Sequence, residues 1–209
     1  MNKKEMINSV RSYLSQFGRV NKDVLKAIDE VDRMYFINGN GDKEIKKLAY
    51  ENEAVPIGYK QTISQPSTVA RMLSLLELKK SDTVLEIGTG SCWNAALLAL
   101  LSKKVVTFEI IEQLVDRAKE KISELGIKNI DIRFGDYTKV KEKFDKIIFT
   151  AGISKHQEEF LEEFAKQHLN ESGILLCPYR EGPLIILKKV NGKIQKTTTK
   201  EEYMFVPLI

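Results

Sequence analysis

Residues 84–91 decide the fold; they read Val84-Leu85-Glu86-Ile87-Gly88-Thr89-Gly90-Ser91. The first four residues fit a mostly apolar β-strand, the glycines that follow fit a tight turn, and residues 94–101 fit a helix. Glycines let the backbone of such a turn approach a ligand closely, and the first N–H groups of the helix have no partner within it. The stretch therefore predicts the first strand, turn and helix of a βαβ unit, with a ligand at the turn.

The same alternation continues along the chain and predicts a parallel sheet. The predicted strands are Thr83 to Ile87, Lys104 to Glu109, Ile130 to Phe134, Lys146 to Thr150 and Ile174 to Pro178. The predicted helices between them are Asn94 to Leu101, Ile111 to Leu125 and Gln157 to His168. Two further runs, residues 184–190 and 193–199, flank Asn191-Gly192, a dipeptide that favours a type I′ hairpin turn. A final strand from Tyr203 to Pro207 is expected to complete a mixed sheet.

An N-terminal helical cap is predicted ahead of the sheet. Residues 6–17 carry apolar side chains at helical spacing, and a second helix is expected from Asn21, its N-cap, to Val31. We expect a turn at Asn38 to Asp42, an ordered loop at residues 56–66 and a helix from Ser67 to Leu78. The predicted fold is thus α/β and Rossmann-like: a mostly parallel twisted sheet with helices on both faces, a C-terminal antiparallel hairpin and the N-terminal cap.

The bulk composition fits one globular domain. The 209 residues carry 33 Lys and Arg against 29 Asp and Glu, and the charges alternate along helices, which argues against dedicated nucleic-acid binding. No apolar run approaches the ~20 residues that span a bilayer, so we expect neither a membrane segment nor a signal peptide. Cys92 and Cys177 fit buried thiols in a reducing compartment, and His156 and His168 fit surface or capping roles. A cytoplasmic monomer without a metal site is expected.

A nucleoside cofactor is indicated by the spacing of Gly88 and Glu109. Glu109 ends the next apolar run 21 positions later, where its carboxylate can accept both hydroxyls of a ribose. Dinucleotide-binding enzymes carry G-x-G-x-x-G, whereas this chain has Gly-Thr-Gly-Ser-Cys, with Glu86 two positions before the first glycine. This form resembles the first motif of class I methyltransferases. There the glycines lie under the methionine part of S-adenosyl-L-methionine, the carboxylate holds its ribose, and a residue at the position of Asp136 lies near the adenine.

Each of these features also has an ordinary structural explanation. Gly90 fits a tight turn, Glu109 a solvated strand end and Asp136 a helix cap. Their order and spacing between strands favour the cofactor interpretation. Cys92 occupies the place where many relatives carry a third glycine, and packing is preferred there over a reactive thiol, because no histidine lies nearby in sequence.

The acceptor site is indicated by residues 56–66, which read Pro-Ile-Gly-Tyr-Lys-Gln-Thr-Ile-Ser-Gln-Pro. This segment resembles the hallmark P-I-G-x-x-Q-T-I-S-Q-P of the protein-L-isoaspartate O-methyltransferase family. The likeness covers almost the whole chain: residues 31–36 resemble V-P-R-x-x-F, residues 85–91 L-E-I-G-T-G-S, residues 144–151 F-D-x-I-x-x-T-A and residues 205–208 F-V-P-L. The Q-T-I-S-Q-P block is the highly specific part.

The resemblance implies a role for each site residue. Ser64 is the expected catalytic residue, whose hydroxyl orients the isoaspartyl α-carboxylate without removing its charge; as an alternative, Ser64 caps the following helix. Thr62 and Val206 are expected to help bind the substrate. The residues expected to bind the cofactor are Thr62, Ile63, Gln65, Glu86, Gly88, Thr89, Gly90, Ser91, Glu109, Ile110, Asp136 and Tyr137.

The resulting hypothesis is a repair methyltransferase that uses S-adenosyl-L-methionine and acts on isoaspartyl-containing proteins and peptides. The methyl ester that it forms closes spontaneously to a succinimide. Within a single domain, residues 1–80 form the cap and substrate loop, 81–180 the cofactor-binding core and 181–209 the C-terminal strands. Tyr59-Lys60, Tyr137 and Tyr179-Arg180 depart from the family pattern and put bulk or charge near the cleft. They leave open a dedicated peptide aspartate or small carboxylate as acceptor, or a non-catalytic cofactor- or peptide-binding module.

Overall fold

A computed structural model describes residues 1–18, 20–37 and 47–209, so the turn expected at Asn38 to Asp42 lies outside the described residues. The α-helices in the described part are α1 (Lys3–Ser15), α2 (Lys22–Glu30), α3 (Pro66–Leu75), α4 (Trp93–Leu101), α5 (Glu112–Glu124) and α6 (Glu158–His168). The side chain of Asn21 accepts hydrogen bonds from the N–H groups of Asp23 and Val24, which confirms it as the N-cap of α2. No helix among the described residues is long and apolar enough to cross a membrane.

The strands comprise a central sheet and two small ones. In chain order they are β1 (Val55–Gly58), β2 (Gln61–Ile63), β3 (Thr83–Ile87), β4 (Lys104–Glu109), β5 (Ile130–Phe134), β6 (Phe144–Phe149), β7 (Leu169–Pro178), β8 (Glu181–Gly182), β9 (Leu184–Val190), β10 (Lys193–Thr198) and β11 (Tyr203–Met204). The central sheet has the order β10-β9-β7-β6-β3-β4-β5. Five of its strands, β7 to β5 in that order, are parallel, and β9 and β10 form the predicted antiparallel hairpin.

Both faces of the central sheet are covered, because successive side chains of a strand point to opposite faces. Val84 packs in one apolar cluster with helices α1 to α5, and Leu85 packs in the other with α6. This burial on both sides explains why the strands read as continuous apolar runs. The hairpin turn is also as predicted, since Asn191 and Gly192 have φ values of 51° and 74°.

The strand order reverses next to β3. The chain moves outward from β3 to β4 and β5, and then returns to place β6 on the other side of β3. Connections leaving the carboxyl ends of β3 and β6 therefore diverge, and the crevice that opens between them is where open α/β sheets bind ligands. The glycine turn after residue 87 lies at this point.

Two expectations for the C-terminal and N-terminal segments were wrong. Tyr203 and Met204 pair with β8 in a separate two-stranded sheet, because the chain after Thr198 turns across the carboxyl ends of the strands instead of joining the edge at β10. The loop expected at residues 56–66 contains the hairpin β1–β2. Its turn places Tyr59 and Lys60 in the left-handed region, at φ values of 53° and 60°, a conformation that their residue types do not predict.

A buried carboxyl group joins three elements beneath the glycine turn. Glu86 is fully buried; its Oε1 accepts from Asn94 Nδ2 at 2.8 Å and its Oε2 accepts from Thr107 Oγ1 at 2.6 Å. Thr107 Oγ1 lies 2.7 Å from Thr89 Oγ1, so the network ties β3 to β4, to α4 and to the turn. Burial raises the pKa of Glu86 to about 7, from an ordinary value of 4.5.

Glu86→Gln is expected to change the pH dependence of stability. With a raised folded-state pKa, the carboxyl stays protonated in the folded protein while the unfolded chain ionises it, so the parent loses stability as pH rises from 4.5 to about 7. The free energy of unfolding of E86Q minus that of the parent should therefore increase across this range, by up to about 3 kcal/mol, and stay constant with pH outside it. Urea unfolding from pH 4 to 8 measures the difference. Exposed Glu120→Gln serves as the control, and an E86Q difference that stays flat with pH would contradict the assignment.

Candidate functional site

A cleft of about 940 Å³, counted with its part open to solvent, lies at the carboxyl ends of the parallel strands. It brings together most of the residues predicted to form the site, from segments far apart in sequence. Those lining it are Thr62, Ile63, Ser64, Gly88, Thr89, Gly90, Ser91, Glu109, Ile110, Tyr137 and Val206. Three predicted residues do not line it: Glu86 lies in the core beneath, Gln65 faces a neighbouring cleft, and the exposed Asp136 caps a 3-10 helix by accepting from Thr138 N.

The glycine turn can be formed only by residues that tolerate a left-handed backbone and crowding. Gly88 has φ 96°, and a Cβ there would lie 2.4 Å from Thr150 Oγ1. Cys92 has φ 70° and is fully buried outside the cleft lining. Burial raises the pKa of the Cys92 thiol, so this side chain packs and is not a reactive thiolate.

The carboxylate of Glu109 is held in place by three backbone N–H groups. Its Oε2 accepts from Gly90 N at 2.9 Å, and its Oε1 accepts from Ile110 N at 2.9 Å and Ile111 N at 3.1 Å. A carboxylate has about four acceptor positions, so roughly one remains for a ligand hydroxyl while all three bonds are made. Glu109 is only 7% exposed, and its orientation is fixed before any ligand binds.

A second cleft of about 700 Å³, lined in part by Ala54, Gln65 and Thr68, adjoins the first. The two clefts share Thr62, Ser64, Thr150, Phe205 and Val206. The hydroxyl of Ser64 makes no hydrogen bond to a described residue. The N-cap of α3 is Gln65, which makes no side-chain capping bond, so the capping alternative for Ser64 was wrong. Ser64 thus presents a free donor at the junction of the two clefts.

Few charged side chains line the two clefts. In the part of the chain that the structure describes, they are Glu109 in the first cleft and Glu202 in the second, and no lysine, arginine or histidine joins them. A lining of this kind favours a ligand that carries positive charge in the first cleft.

Val206 is positioned by a C-terminal segment that crosses the ends of β6 and β7. Gly152 N donates to Val206 O at 2.8 Å, Leu208 N donates to Gly152 O at 2.9 Å, and Phe205 N donates to Arg180 O at 2.9 Å. Further back, the Arg71 guanidinium pairs with Glu201 at 3.6 Å. These contacts make residues 205–208 a fixed wall of the cleft.

The departures from the family pattern lie mostly outside the clefts. Tyr59 is 44% exposed, with the Arg117 guanidinium 5.2 Å from its ring centroid, and Arg117 Nη1 donates to Ile57 O at 3.2 Å. Neither Lys60 nor Arg180 lines a cleft. Tyr137 does line the first cleft, and its ring packs edge-on against Phe149 and Phe164. Only at Tyr137 does extra bulk reach the ligand space.

Several lining residues were missed by the sequence analysis. Trp93 and Asn94 follow the glycine turn, Thr150 comes directly after β6, and Phe205 precedes the predicted Val206. Thr150 had a usable signal, because a polar residue at the carboxyl end of a parallel strand lies at the ligand-binding edge of the sheet. Trp93 had none, since an aromatic residue beginning an apolar helix reads as core.

Comparisons with known proteins agree with this geometry. The family model of protein-L-isoaspartate(D-aspartate) O-methyltransferase matches residues 1–209. A protein-L-isoaspartate O-methyltransferase of Thermosipho melanesiensis is 37% identical over 94% of this chain and 98% of its own length; one of Petrotoga mobilis is 39% identical over 99% and 96%.

Solved structures give the same result. A protein-L-isoaspartate O-methyltransferase superposes with a TM-score of 0.80 at 25% identity, over 99% of this chain and 66% of its own. A Plasmodium falciparum protein described as the same type of enzyme, in complex with S-adenosyl-L-homocysteine, gives 0.78 at 25% identity, over 100% and 99%. From the family match over its full length and these relatives, the chain belongs to the protein-L-isoaspartate(D-aspartate) O-methyltransferase family.

Proposed function

We propose that this protein transfers a methyl group from S-adenosyl-L-methionine to the α-carboxylate of L-isoaspartyl residues in damaged proteins and peptides. The observation that carries the proposal is the junction of the two clefts at Thr62, Ser64 and Thr150. One cleft has a fixed carboxylate and a glycine turn, and the other leads from the hydroxyl of Ser64 past Gln65 and Met204. A methyl donor and a peptide acceptor bound in the two clefts would meet at Ser64.

The first cleft fits the cofactor. The turn from Gly88 to Ser91 leaves room for the methionine part, because a side chain at Gly88 is excluded by Thr150. Glu109, with Ile110 beside it, offers an acceptor for a ribose hydroxyl, and Tyr137 provides an aromatic wall on the adenine side. The chemistry that S-adenosyl-L-methionine supplies when bound is an electrophilic methyl group on a positively charged sulfonium, which suits a lining whose charged side chain is a carboxylate.

Glu86, Asp136 and Gln65 act indirectly in this proposal. Glu86 fixes α4 and the turn from below, Asp136 caps the short helix that carries Tyr137, and Gln65 lines the acceptor side. Thr62 and Ile63 lie between the two ligands. Each of these residues shapes the cleft, whereas contact with the nucleoside is assigned to Glu109 and Tyr137.

On the acceptor side, Ser64 donates a hydrogen bond to the α-carboxylate and holds it toward the methyl group. Carboxylates of this type are ionised near neutral pH, so no proton has to be removed before attack. The absence of a lining histidine therefore costs the reaction nothing. Val206 borders the acceptor from the opposite wall, and its main chain is fixed through Gly152.

The positions of the divergent residues do not favour the alternative acceptors. A dedicated peptide aspartate or a small carboxylate was favoured by bulk near the cleft, but the divergent residues Tyr59, Lys60, Tyr179 and Arg180 line neither cleft. The remaining departure, Tyr137, faces the cofactor side. General access of isoaspartyl peptides to Ser64 is thus the reading that the geometry favours.

Ser64→Ala is expected to lower kcat/KM for an isoaspartyl peptide by about 10- to 100-fold, the usual effect of losing one hydrogen bond to a charged group. Affinity for S-adenosyl-L-homocysteine should change less than about twofold, since the hydroxyl is assigned to the acceptor. The assay is base-labile methyl transfer from labelled cofactor, with the normal aspartyl peptide beside it. Ser74→Ala, whose hydroxyl bonds within α3 to Ala70 O, is the matched control. Transfer to both peptides alike, or an unaffected S64A, would contradict the proposal.

Glu109→Gln is expected to weaken binding of S-adenosyl-L-homocysteine at least about tenfold, because an amide group accepts less strongly than a carboxylate and cannot make all the same N–H bonds. Calorimetric titration measures the affinity. Glu112→Gln, on the first turn of α5, removes a nearby charge that does not line the cleft and should leave the affinity unchanged. Equal losses in the two variants would point to a general charge effect and away from a ribose contact.

A further inference from the structure

Arg33 is a fully buried cation that contacts residues 56–66, here called the acceptor loop. Its guanidinium Nη1 donates to Ala49 O at 2.7 Å, and its Nη2 donates to Glu53 O at 2.9 Å and to Ser64 O at 3.1 Å. Longer contacts of 3.4 Å reach Leu48 O, Glu51 O and Ile63 O. No carboxylate among the described residues pairs with it. Main-chain carbonyls thus take the place of water around this charge.

The carbonyls belong to two segments that the hairpin β1–β2 also joins, since Val55 pairs with Ile63. One segment is residues 48–53, which leads into β1, and the other is residues 63–64, which ends β2 and carries the proposed catalytic hydroxyl. A planar guanidinium presents donors in several fixed directions and joins both segments at once, whereas the three donors of a lysine ammonium radiate from one point and cannot reproduce this fork. Arg33 therefore helps to fix the main chain of Ser64.

The same side chain also contacts the cofactor side. The Arg33 guanidinium lies 5.5 Å from the ring centroid of Trp93, which begins α4 immediately after the glycine turn and lines the first cleft. Trp93 Nε1 in turn donates to Val31 O at 3.1 Å, two residues before Arg33. The acceptor loop and the start of α4 are thus fixed relative to each other through one buried cation.

The Arg33 guanidinium keeps its positive charge, and with it these hydrogen bonds, at the neutral pH of a methyl-transfer assay. Burial lowers the pKa of Arg33 to about 10, which still leaves it protonated at neutral pH. Its Nε is buried without a hydrogen-bond partner among the described residues, so desolvation of the group is not fully compensated. The hydrogen bonds from its two Nη groups to the carbonyls of residues 48–53 and 63–64 offset this desolvation.

We propose that Arg33 is a positioning residue for methyl transfer: by binding the carbonyls of Ser64 and of residues 48–53, it aligns the Ser64 hydroxyl with the methyl donor. The inference rests on the proposed role of Ser64. Arg33 touches neither ligand, and its contribution appears in acceptor turnover, while the cofactor site around Glu109 is held by its own contacts.

Arg33→Lys, which keeps the charge and loses the fork, is expected to lower kcat at least tenfold and to raise KM for the isoaspartyl peptide. Its affinity for S-adenosyl-L-homocysteine should stay within threefold of the parent. Arg33→Gln, which leaves no buried charge, is assayed beside it in case R33K does not fold. The control is Leu161→Ala, a buried position of α6 on the opposite face of the sheet; it should lose stability but keep the parental KM.

Each outcome decides the question. A kcat and KM of the parent in R33K or R33Q, after correction for the folded fraction, would overturn the positioning role. Equal losses of cofactor affinity and turnover, or failure of both variants to fold, would assign Arg33 a purely structural role. If the parent protein itself transfers no methyl group to the isoaspartyl peptide, the proposed function fails instead, whatever the Arg33 variants do.

Discussion

Gly88 and Thr150 meet where the strand order reverses, and the geometry of the whole site depends on that contact. Thr150 Oγ1 donates to Gly88 O at 2.6 Å and lies 3.0 Å from Ile87 O. Gly88 and Thr150 directly follow β3 and β6, and the missing Cβ of Gly88 lets the two segments approach each other. From this fixed start the turn brings Gly90 to Glu109 and delivers Trp93 to the ring contact with the buried guanidinium. The cofactor side and the acceptor side of the site therefore both depend on the contact between the Gly88 main chain and the Thr150 side chain.

Two turns near the clefts hold residues with side chains in a strained backbone conformation. Tyr59, Lys60 and Cys92 adopt left-handed conformations, which cost a side-chain-bearing residue about 1 kcal/mol or more each. Local contacts offset part of that cost: the Tyr59 ring lies against Arg117, and Cys92 N donates to Thr89 O at 2.8 Å in a fully buried position. Glycine would make the same turns without strain. The turns themselves are thus the constraint, and the side chains adapt to them.

The sequence could predict the elements whose signals are local. Buried parallel strands such as Thr83–Ile87 appear as apolar runs, and Asn191-Gly192 specifies its hairpin turn. The assignment of Ser64 came from a resemblance, since a lone serine has no chemical signature. What was missed depends on distant partners: residues 31–36 match a family motif, but that match does not show that main-chain carbonyls of residues 48–64 surround Arg33. Likewise, Tyr203–Met204 pair with a two-residue strand that no periodicity reveals. Glu86 and Asp136 were assigned to the cofactor through the family resemblance; in the structure Glu86 accepts from Asn94 and Thr107, and Asp136 accepts from Thr138 N.

The three N–H bonds to Glu109 have an entropic consequence. The carboxylate has already lost its rotational freedom when the protein is folded, so a nucleoside that binds it gives up its own freedom and requires little from the protein. The hydroxyl of Ser64 differs, because it rotates without a partner among the described residues. The conformational entropy lost when this hydroxyl is fixed reduces the free energy of peptide binding, and it does not affect cofactor binding. The main chain is fixed in advance on both sides of the site, and the Ser64 hydroxyl is the group that becomes ordered as the acceptor arrives.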